Sequence, residues 1–328
     1  MKGLSILIFT IVSFTPIHCV QSKYSNMENN PLLCNPDSGV CEINSNTESS
    51  TKTTLNTTSK KNVKVIYFTD PICSSCWGIE PELRKLKLEF GDQIEIDYRM
   101  GGLLPDWNYN SGGISKPSDV AHHWDEMSVY YDMPIDGDVW LEDPLQSSFP
   151  PSIAFKAAQL QDQEKASIFL RLIREMVFIQ KKNICRWEHI ESAATQSNLD
   201  IKQLKVDIEK KAQDLFNEDL ELSRDLDVRG FPTMFFVDTT GKREIVYGSK
   251  PYTSYVNAIQ KLDKTIEKRT YSKDWKSLFN TYHTLTAKEF STLAELSKTE
   301  AINVLNELTS KGILNRKDTK NGSIWELN

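Results

Sequence analysis

Residues 63–68 read Val-Lys-Val-Ile-Tyr-Phe, a β-branched and aromatic run that predicts a buried strand. The period then changes. From Trp77 to Phe90 the apolar positions Ile79, Leu83, Leu86 and Phe90 recur at helical spacing, and Gly91 stops them. Gln93 to Met100 alternates at period two and predicts a second strand, parallel to the first because a helix joins them. Strand, helix and strand make a right-handed βαβ unit. Gly101 to Trp107 leaves the sheet, and Asn108 to Pro117 is a glycine-containing loop. Four helical segments are expected next: Ser118–Tyr131, one long helix over Ser152–Gln180 behind Pro150-Pro151, Trp187–Ser197, and Ile201–Asp225. Sheet patterning resumes at Arg229-Gly-Phe-Pro-Thr-Met-Phe-Phe-Val-Asp238. A proline inside a central strand would remove a ladder donor, so Pro232 must stand at the strand's start. Thr240-Gly-Lys turns the chain into Glu244–Tyr247, and Tyr252–Lys268 reads as a helix.

The order βαβ, helical insertion, ββα predicts an α/β thioredoxin fold over residues 62–268, with a long helical insertion at about 117–227. From Tyr271 the pattern looks separate. Thr299–Lys311 carries Ile302, Leu305 and Leu308 on one face, and Ile313-Leu314 with Ser323–Leu327 suggests two short strands. A small C-terminal winged-helix-like module is expected over 271–328.

The N-terminal region reads two ways. Lys2, the apolar run Leu4–Ile17 and Val20-Gln-Ser22 resemble an export signal, which would place the chain outside the cytoplasm. Alternatively translation starts at Met27, residues 1–26 are a mis-assigned start, and the protein is cytoplasmic. Residues 27–61 then hold a turn-rich segment, Cys34-Asn-Pro-Asp-Ser-Gly-Val-Cys41, followed by a Ser/Thr/Asn/Lys linker from Asn44 to Lys61 that lacks apolar residues to bury. Cys34 and Cys41 form a small disulfide, contribute to a metal site, or are two thiols in a tail. The Asn56-Thr-Thr sequon is read as chance.

Composition narrows the classes without naming one. The 328 residues suffice for a substantial core. A net charge of −6 argues against a general nucleic-acid binder, and residues 271–328 carry eight Lys or Arg against seven Asp or Glu, too even for a duplex-binding face. The apolar N-terminal run is too short to be a convincing membrane span. Six cysteines are too few for a disulfide scaffold in a chain this long, so their placement matters more than their number.

Two of them, in Asp70-Pro-Ile-Cys73-Ser-Ser-Cys76-Trp77, sit where strand pattern gives way to helix pattern. A thiol there meets unpaired amides and the positive end of the helix dipole, which favour the thiolate. Cys73 is the expected nucleophile, and Cys76, about one turn further, the resolving thiol. A structural zinc site would need a second pair at similar spacing. None follows: His122 and His123 are adjacent, and Cys185 stands alone as an expected packed thiol. Neither a metal nor a cofactor is expected. The redox reading requires the dithiol to face solvent. Ser74 and Ser75 can donate to the thiolate or cap the helix, and Asp70 is a turn residue or a proton relay. Asn110, Gly113, His122, His123 and Trp124 are weaker candidates for a substrate groove.

Asp70-Pro-Ile-Cys73-Ser-Ser-Cys76-Trp-Gly together with Val228-Arg-Gly-Phe-Pro232-Thr resembles the DsbA family of thioredoxin-fold proteins, in particular its FrnE-like branch. The resemblance covers about residues 62–268. It implies that Pro232 is cis and that Phe231, Pro232 and Thr233 lie beside Cys73, with Pro232 barring metal and aligning an incoming strand. Related kappa-class glutathione transferases and isomerases carry serine where Cys73 stands, so cysteine here implies dithiol chemistry. The whole architecture, with Glu80-Pro after the motif, the Ala154–Gln161 helix and the C-terminal extension, is also similar to YjbH-type adaptors that deliver a transcription factor to the ClpXP protease. That likeness favours a start at Met27. Two functions follow: a protein disulfide oxidoreductase acting on protein or small-molecule thiols, favoured by the intact motif pair, or a ClpXP adaptor that binds a client, with the dithiol redox-sensing or inert.

Overall fold

The computed structural model describes residues 34–43, 61–108 and 116–328. The start-site question, the Asn56 sequon, the linker up to residue 60, and Asn110 and Gly113 lie outside the described residues. In chain order the elements are β1 (Cys34–Asn35), β2 (Val40–Glu42), β3 (Val63–Thr69), α1 (Ser74–Gly78), α2 (Glu80–Phe90), β4 (Ile94–Met100), α3 (Pro117–Tyr131), α4 (Val139–Glu142), α5 (Phe149–Gln161), α6 (Gln163–Phe178), α7 (Trp187–Gln196), α8 (Ile201–Ile208), α9 (Lys211–Asp225), β5 (Gly230–Phe231), β6 (Thr233–Asp238), β7 (Arg243–Tyr247), α10 (Tyr252–Leu262), α11 (Trp275–Thr281), β8 (Thr284–Thr286), α12 (Ala287–Ala294), α13 (Lys298–Ser310), β9 (Leu314–Thr319) and β10 (Gly322–Leu327).

The central sheet has the order β4-β3-β6-β7. Strand β3 pairs in parallel with β4, Val63 opposite Ile94, and antiparallel with β6, Phe68 opposite Thr233. The expected βαβ unit and the proline-led aromatic strand are therefore neighbours, which brings the end of β3 and the start of β6 to the same edge of the sheet. Val63, Val65, Tyr67 and Phe68 are fully buried, as a strand covered on both faces requires.

Three expected helices break where a residue leaves helical geometry. The long helix expected over 152–180 is two. Asp162 takes extended angles (φ −165°, ψ 129°), and its carboxylate accepts from the amides of Glu164 and Lys165, so it starts α6 rather than continuing α5. The helix expected over 201–225 breaks at Lys210 (φ −134°, ψ −101°). The one expected to run to Lys268 stops at Leu262 because Asp263 is extended (φ −140°, ψ 107°). Helix after the dithiol likewise divides at Ile79, ahead of Pro81, a residue that fits only a helix's first turn.

Beyond Tyr271 a second hydrophobic cluster forms around Leu278, Phe279, Leu285, Phe290, Leu305 and Trp325. The two C-terminal strands pair as a hairpin, Gly322 opposite Thr319, and carry a third strand, β8, that the pattern did not announce. Capping boxes start both longer helices here, Thr286 with Glu289 and Ser297 with Glu300. Among the described residues, no helix is long and apolar enough to cross a membrane.

Candidate redox site

Strand β3 ends at Thr69, and the chain turns through Asp70-Pro71 into α1. Asp70 fixes this turn. Its carboxylate accepts from the amides of Ile72 (3.0 Å) and Leu103 (2.8 Å) and from the Ser148 hydroxyl (2.8 Å). Cys73 is the residue that caps α1, and the Cys76 amide donates to its Sγ at 3.1 Å. Thus the sulfur stands where the strand-to-helix pattern puts it, and Cys73 and Cys76 are joined as a disulfide.

The surroundings depart from expectation. Cys73 and Cys76 are both completely buried. The open, solvent-facing dithiol expected from the sequence is corrected by a physical cover, the hairpin of β1 and β2, whose own cysteines Cys34 and Cys41 form a second disulfide. Cys41 Sγ lies 3.4 Å from Cys73 Sγ. The Ser74 hydroxyl is 2.9 Å from Cys34 Sγ, and that of Ser75 is 3.4 Å from Cys41 Sγ. Of the alternatives open for Cys34 and Cys41, the structure contains the disulfide.

The hairpin is held by backbone. Strand β2 pairs antiparallel with β5, Cys41 opposite Phe231 and Glu42 opposite Gly230, and the Ile43 amide donates to Arg229 O at 2.7 Å. The Phe231–Pro232 peptide bond is cis. Phe231 is fully buried, and the Thr233 hydroxyl donates to Gly230 O at 2.6 Å, closing the loop around Pro232. Chain backbone that an incoming strand would pair with beside Pro232 is therefore already paired with β2.

Other candidates separate. Ser75 also bonds the Tyr131 hydroxyl (2.6 Å) from α3 of the insertion. Burial raises the Asp70 carboxyl to about 6 against the opposing pull of its hydrogen bonds. With three donors on it, Asp70 is built into the turn. His122 projects into solvent. His123 and Trp124 face the core, and burial, with His122 adding a little, holds the His123 imidazole down at about 4, hence neutral near pH 7. These residues do not form one groove. Cys185 is half-buried, its thiol donating to Ser147 O at 2.9 Å, and burial raises its pKa.

Beneath the dithiol runs a chain of buried charges absent from the sequence reading. Arg174 Nη1 donates to Glu80 at 2.9 Å, and its Nη2 bonds Thr69 Oγ1 at 2.5 Å and Asp70 O at 3.3 Å. Arg171 stacks over the Trp77 ring, 4.4 Å from its centroid, and grips Glu289 of α12 through two bonds of 2.7 and 3.0 Å. Arg84 Nε reaches the same carboxylate at 3.2 Å. Burial alone would raise the Glu289 pKa, but these two guanidinium groups outweigh it and hold the carboxyl below the usual range. The sequence signal for Glu289 was its place three residues after Thr286, a capping-box spacing; nothing in the sequence pointed to its arginine partners.

A family model described as thioredoxin matches residues 67–257. Among curated proteins, the chain is 32% identical over 302 residues to a protein named ClpXP adapter protein SpxH from Halalkalibacterium halodurans, covering 90% of this chain and 97% of that one. The protein of the same name from Bacillus subtilis is 27% identical over 272 residues, 81% of this chain and 90% of that one. Among solved structures, a cytosolic disulfide reductase, DsbM, from Pseudomonas aeruginosa superposes with a TM-score of 0.50 at 19% identity, covering 61% of this chain and 99% of that chain. That likeness concerns the fold alone.

Proposed function

The chain belongs to the thioredoxin family and, over 90% of its length, to the family of ClpXP adapters, and from that premise we propose that it is a protein adapter that holds a client for a ClpXP-type protease, with Cys73–Cys76 as an internal redox element. The observation that carries this reading is the closed dithiol. Both sulfurs are buried, and the backbone beside Pro232 is paired with the chain's own β2. An enzyme that exchanges disulfides with passing proteins needs the opposite arrangement. In this reading Cys73 and Cys76 store the redox state, Phe231, Pro232 and Thr233 shape the seat of the hairpin, and Ser74 and Ser75 face its sulfurs. Asp70 positions the turn rather than relaying protons. A body of 62–268 and a winged-helix-like module of 271–328 belong to the same proposal, supported by two separate hydrophobic clusters. So does a cytoplasmic location, where such a protease works.

One observation favours a second reading, a thiol–disulfide oxidoreductase acting on protein or small-molecule thiols: the amide of Cys76 is aimed at Cys73 Sγ, an arrangement that favours a thiolate once the disulfide opens. Reconstituted degradation separates the two. The adapter reading expects the purified chain to accelerate ClpXP proteolysis of its client, and Cys73→Ser/Cys76→Ser to retain that effect with no more than a few-fold change. A chain that reduces insulin at thioredoxin-like rates and leaves proteolysis unchanged establishes the oxidoreductase instead.

A further inference from the structure

Four sulfurs, not two, meet at the start of α1. Cys34 is 2% exposed, and Cys41, Cys73 and Cys76 are not exposed at all. Such burial keeps a bulky partner away from the dithiol, while the chain itself supplies a cysteine at 3.4 Å. We propose that the hairpin is the dithiol's built-in exchange partner, passing two electrons between Cys34–Cys41 and Cys73–Cys76 through a Cys41–Cys73 mixed disulfide. The proposal rests on the reading of Cys73–Cys76 as a redox element and names what that element exchanges with.

The seat is made for this strand. An added Cβ at Gly230 would stand 2.3 Å from Val40 Cγ1 and 2.7 Å from Cys41 O, so only glycine lets β2 come this close. At the hairpin's turn, Gly248 plays the same part: a Cβ there would stand 2.4 Å from Ser38 O, and the neighbouring Ser249 amide donates to Gly39 O at 2.8 Å. Both ends of the hairpin are thereby fixed by main chain, and Cys41 is delivered opposite Phe231, directly before Pro232. Ser74 and Ser75, the two residues inside the Cys73–Cys76 motif, place their hydroxyls on the hairpin sulfurs and can donate to them as thiolates.

The chemistry balances within the chain. With the hairpin reduced and the inner pair oxidised, the Cys41 thiolate attacks Cys73 Sγ; a Cys41–Cys73 bond forms, the Cys73–Cys76 bond breaks, and Cys76 leaves with the electron pair. The Cys34 thiolate then attacks Cys41 Sγ, forming Cys34–Cys41 and releasing the Cys73 thiolate. The hairpin is oxidised by two electrons, the inner pair reduced by two, and the two protons lost by Cys34 and Cys41 end on Cys73 and Cys76. Reversal uses the same bonds. Because both pairs are disulfides in this structure, the cycle begins when a small dithiol, or two molecules of a small monothiol, reduces the hairpin and becomes a disulfide itself.

Two measurements on the full chain test this. In Cys34→Ser/Cys76→Ser, equilibrated in glutathione buffer and digested without reduction, mass spectrometry is expected to find Cys41 and Cys73 linked to each other in most chains. Finding them instead as separate glutathione adducts or free thiols overturns the relay. Should that variant not fold, kinetics decide: removing the hairpin thiols in Cys34→Ser/Cys41→Ser is expected to slow dithiothreitol reduction of Cys73–Cys76 by about tenfold or more, because the inner thiol route is lost. An equal or faster rate means the hairpin merely shields, and overturns the proposal. The underlying redox reading fails separately, and takes the relay with it, if Cys73–Cys76 in the wild-type chain, all four thiols present, never exchanges with glutathione.

Discussion

The two ends of the chain dock on one body by opposite means. Among the described residues, the N-terminal hairpin is held by a few main-chain bonds, close glycine contacts, sulfur and the hydroxyls of Ser74 and Ser75. By contrast the C-terminal unit is anchored by charge. Glu289 accepts from Arg171 and Arg84 while also completing the cap of α12, its Oε2 taking the Thr286 amide at 2.8 Å. Breaking a buried charge network leaves unpaired charge inside, whereas lifting a short hairpin exposes mostly main chain and sulfur to water. The difference teaches which contact costs less to break: on these terms the hairpin yields before the C-terminal unit.

Buried carboxylates on either side sharpen the contrast. Glu289 is paired with two cations and its pKa is lowered; Asp70, below the hairpin, is held mainly by neutral donors and its pKa is raised to about 6. Glu289→Gln should therefore have the largest effect, a loss of about 3 kcal/mol in denaturant unfolding, because a carboxylate shared by two buried guanidinium groups is lost, leaving Arg171 with Glu175 (2.6 Å) and Arg84 with the longer approach of Glu80 (3.9 Å). A loss below about 1 kcal/mol would show that charge does not hold this end. Asp70 comes next. Its folded pKa lies above the unfolded value of 3.8, so its contribution is fully present below pH 3.8 and is lost as pH rises through about 6, roughly 3 kcal/mol in all. Stability measured across this window should fall more steeply in the wild type than in Asp70→Asn, and parallel curves would break the assignment. The smallest effect belongs to the exposed pairs of Lys320 with Asp125 (2.6 Å) and Asp138 (2.8 Å), which join the C-terminal hairpin to the insertion. Lys320→Ala should cost no more than about 1 kcal/mol, and less in high salt, as urea titrations at two ionic strengths would show.

Much of this body was legible in the sequence because its strands and dithiol turn are local patterns. A β-branched run, a motif at a strand-to-helix switch and a proline at a strand's start each carry their own signal, and together they predict a thioredoxin fold with Cys73 at a helix start, while the order β4-β3-β6-β7 is visible only in the structure. The same local reading named Cys34 and Cys41 as a candidate disulfide, but the tertiary pairing of β2 with β5 joins residues about 190 positions apart and leaves no periodic trace. That is why an open site was expected where a closed one stands. Helix breaks at Asp162 and Lys210 were lost for a related reason: apolar positions continue across them, and only the capping carboxylate of Asp162 marks the first. Arginine partners of Glu80 and Glu289 lie on α6 and α2, chosen by packing rather than by sequence neighbourhood. The motif pair favours an oxidoreductase over an adapter; the adapter is put first in the proposal because of relatives that span the chain and the covered dithiol.

The hairpin covers a dithiol that would otherwise be reached, and alkylation of Cys73 in the fully reduced chain measures this directly. Gly230→Ala puts a methyl group against Val40 and Cys41 O and should unseat β2. Modification of Cys73 is expected to be slow in the wild type and about tenfold or more faster in Gly230→Ala, with the central fold intact by circular dichroism. Equal, fast modification in both chains would contradict it, because the dithiol would then be open whether or not the hairpin is seated.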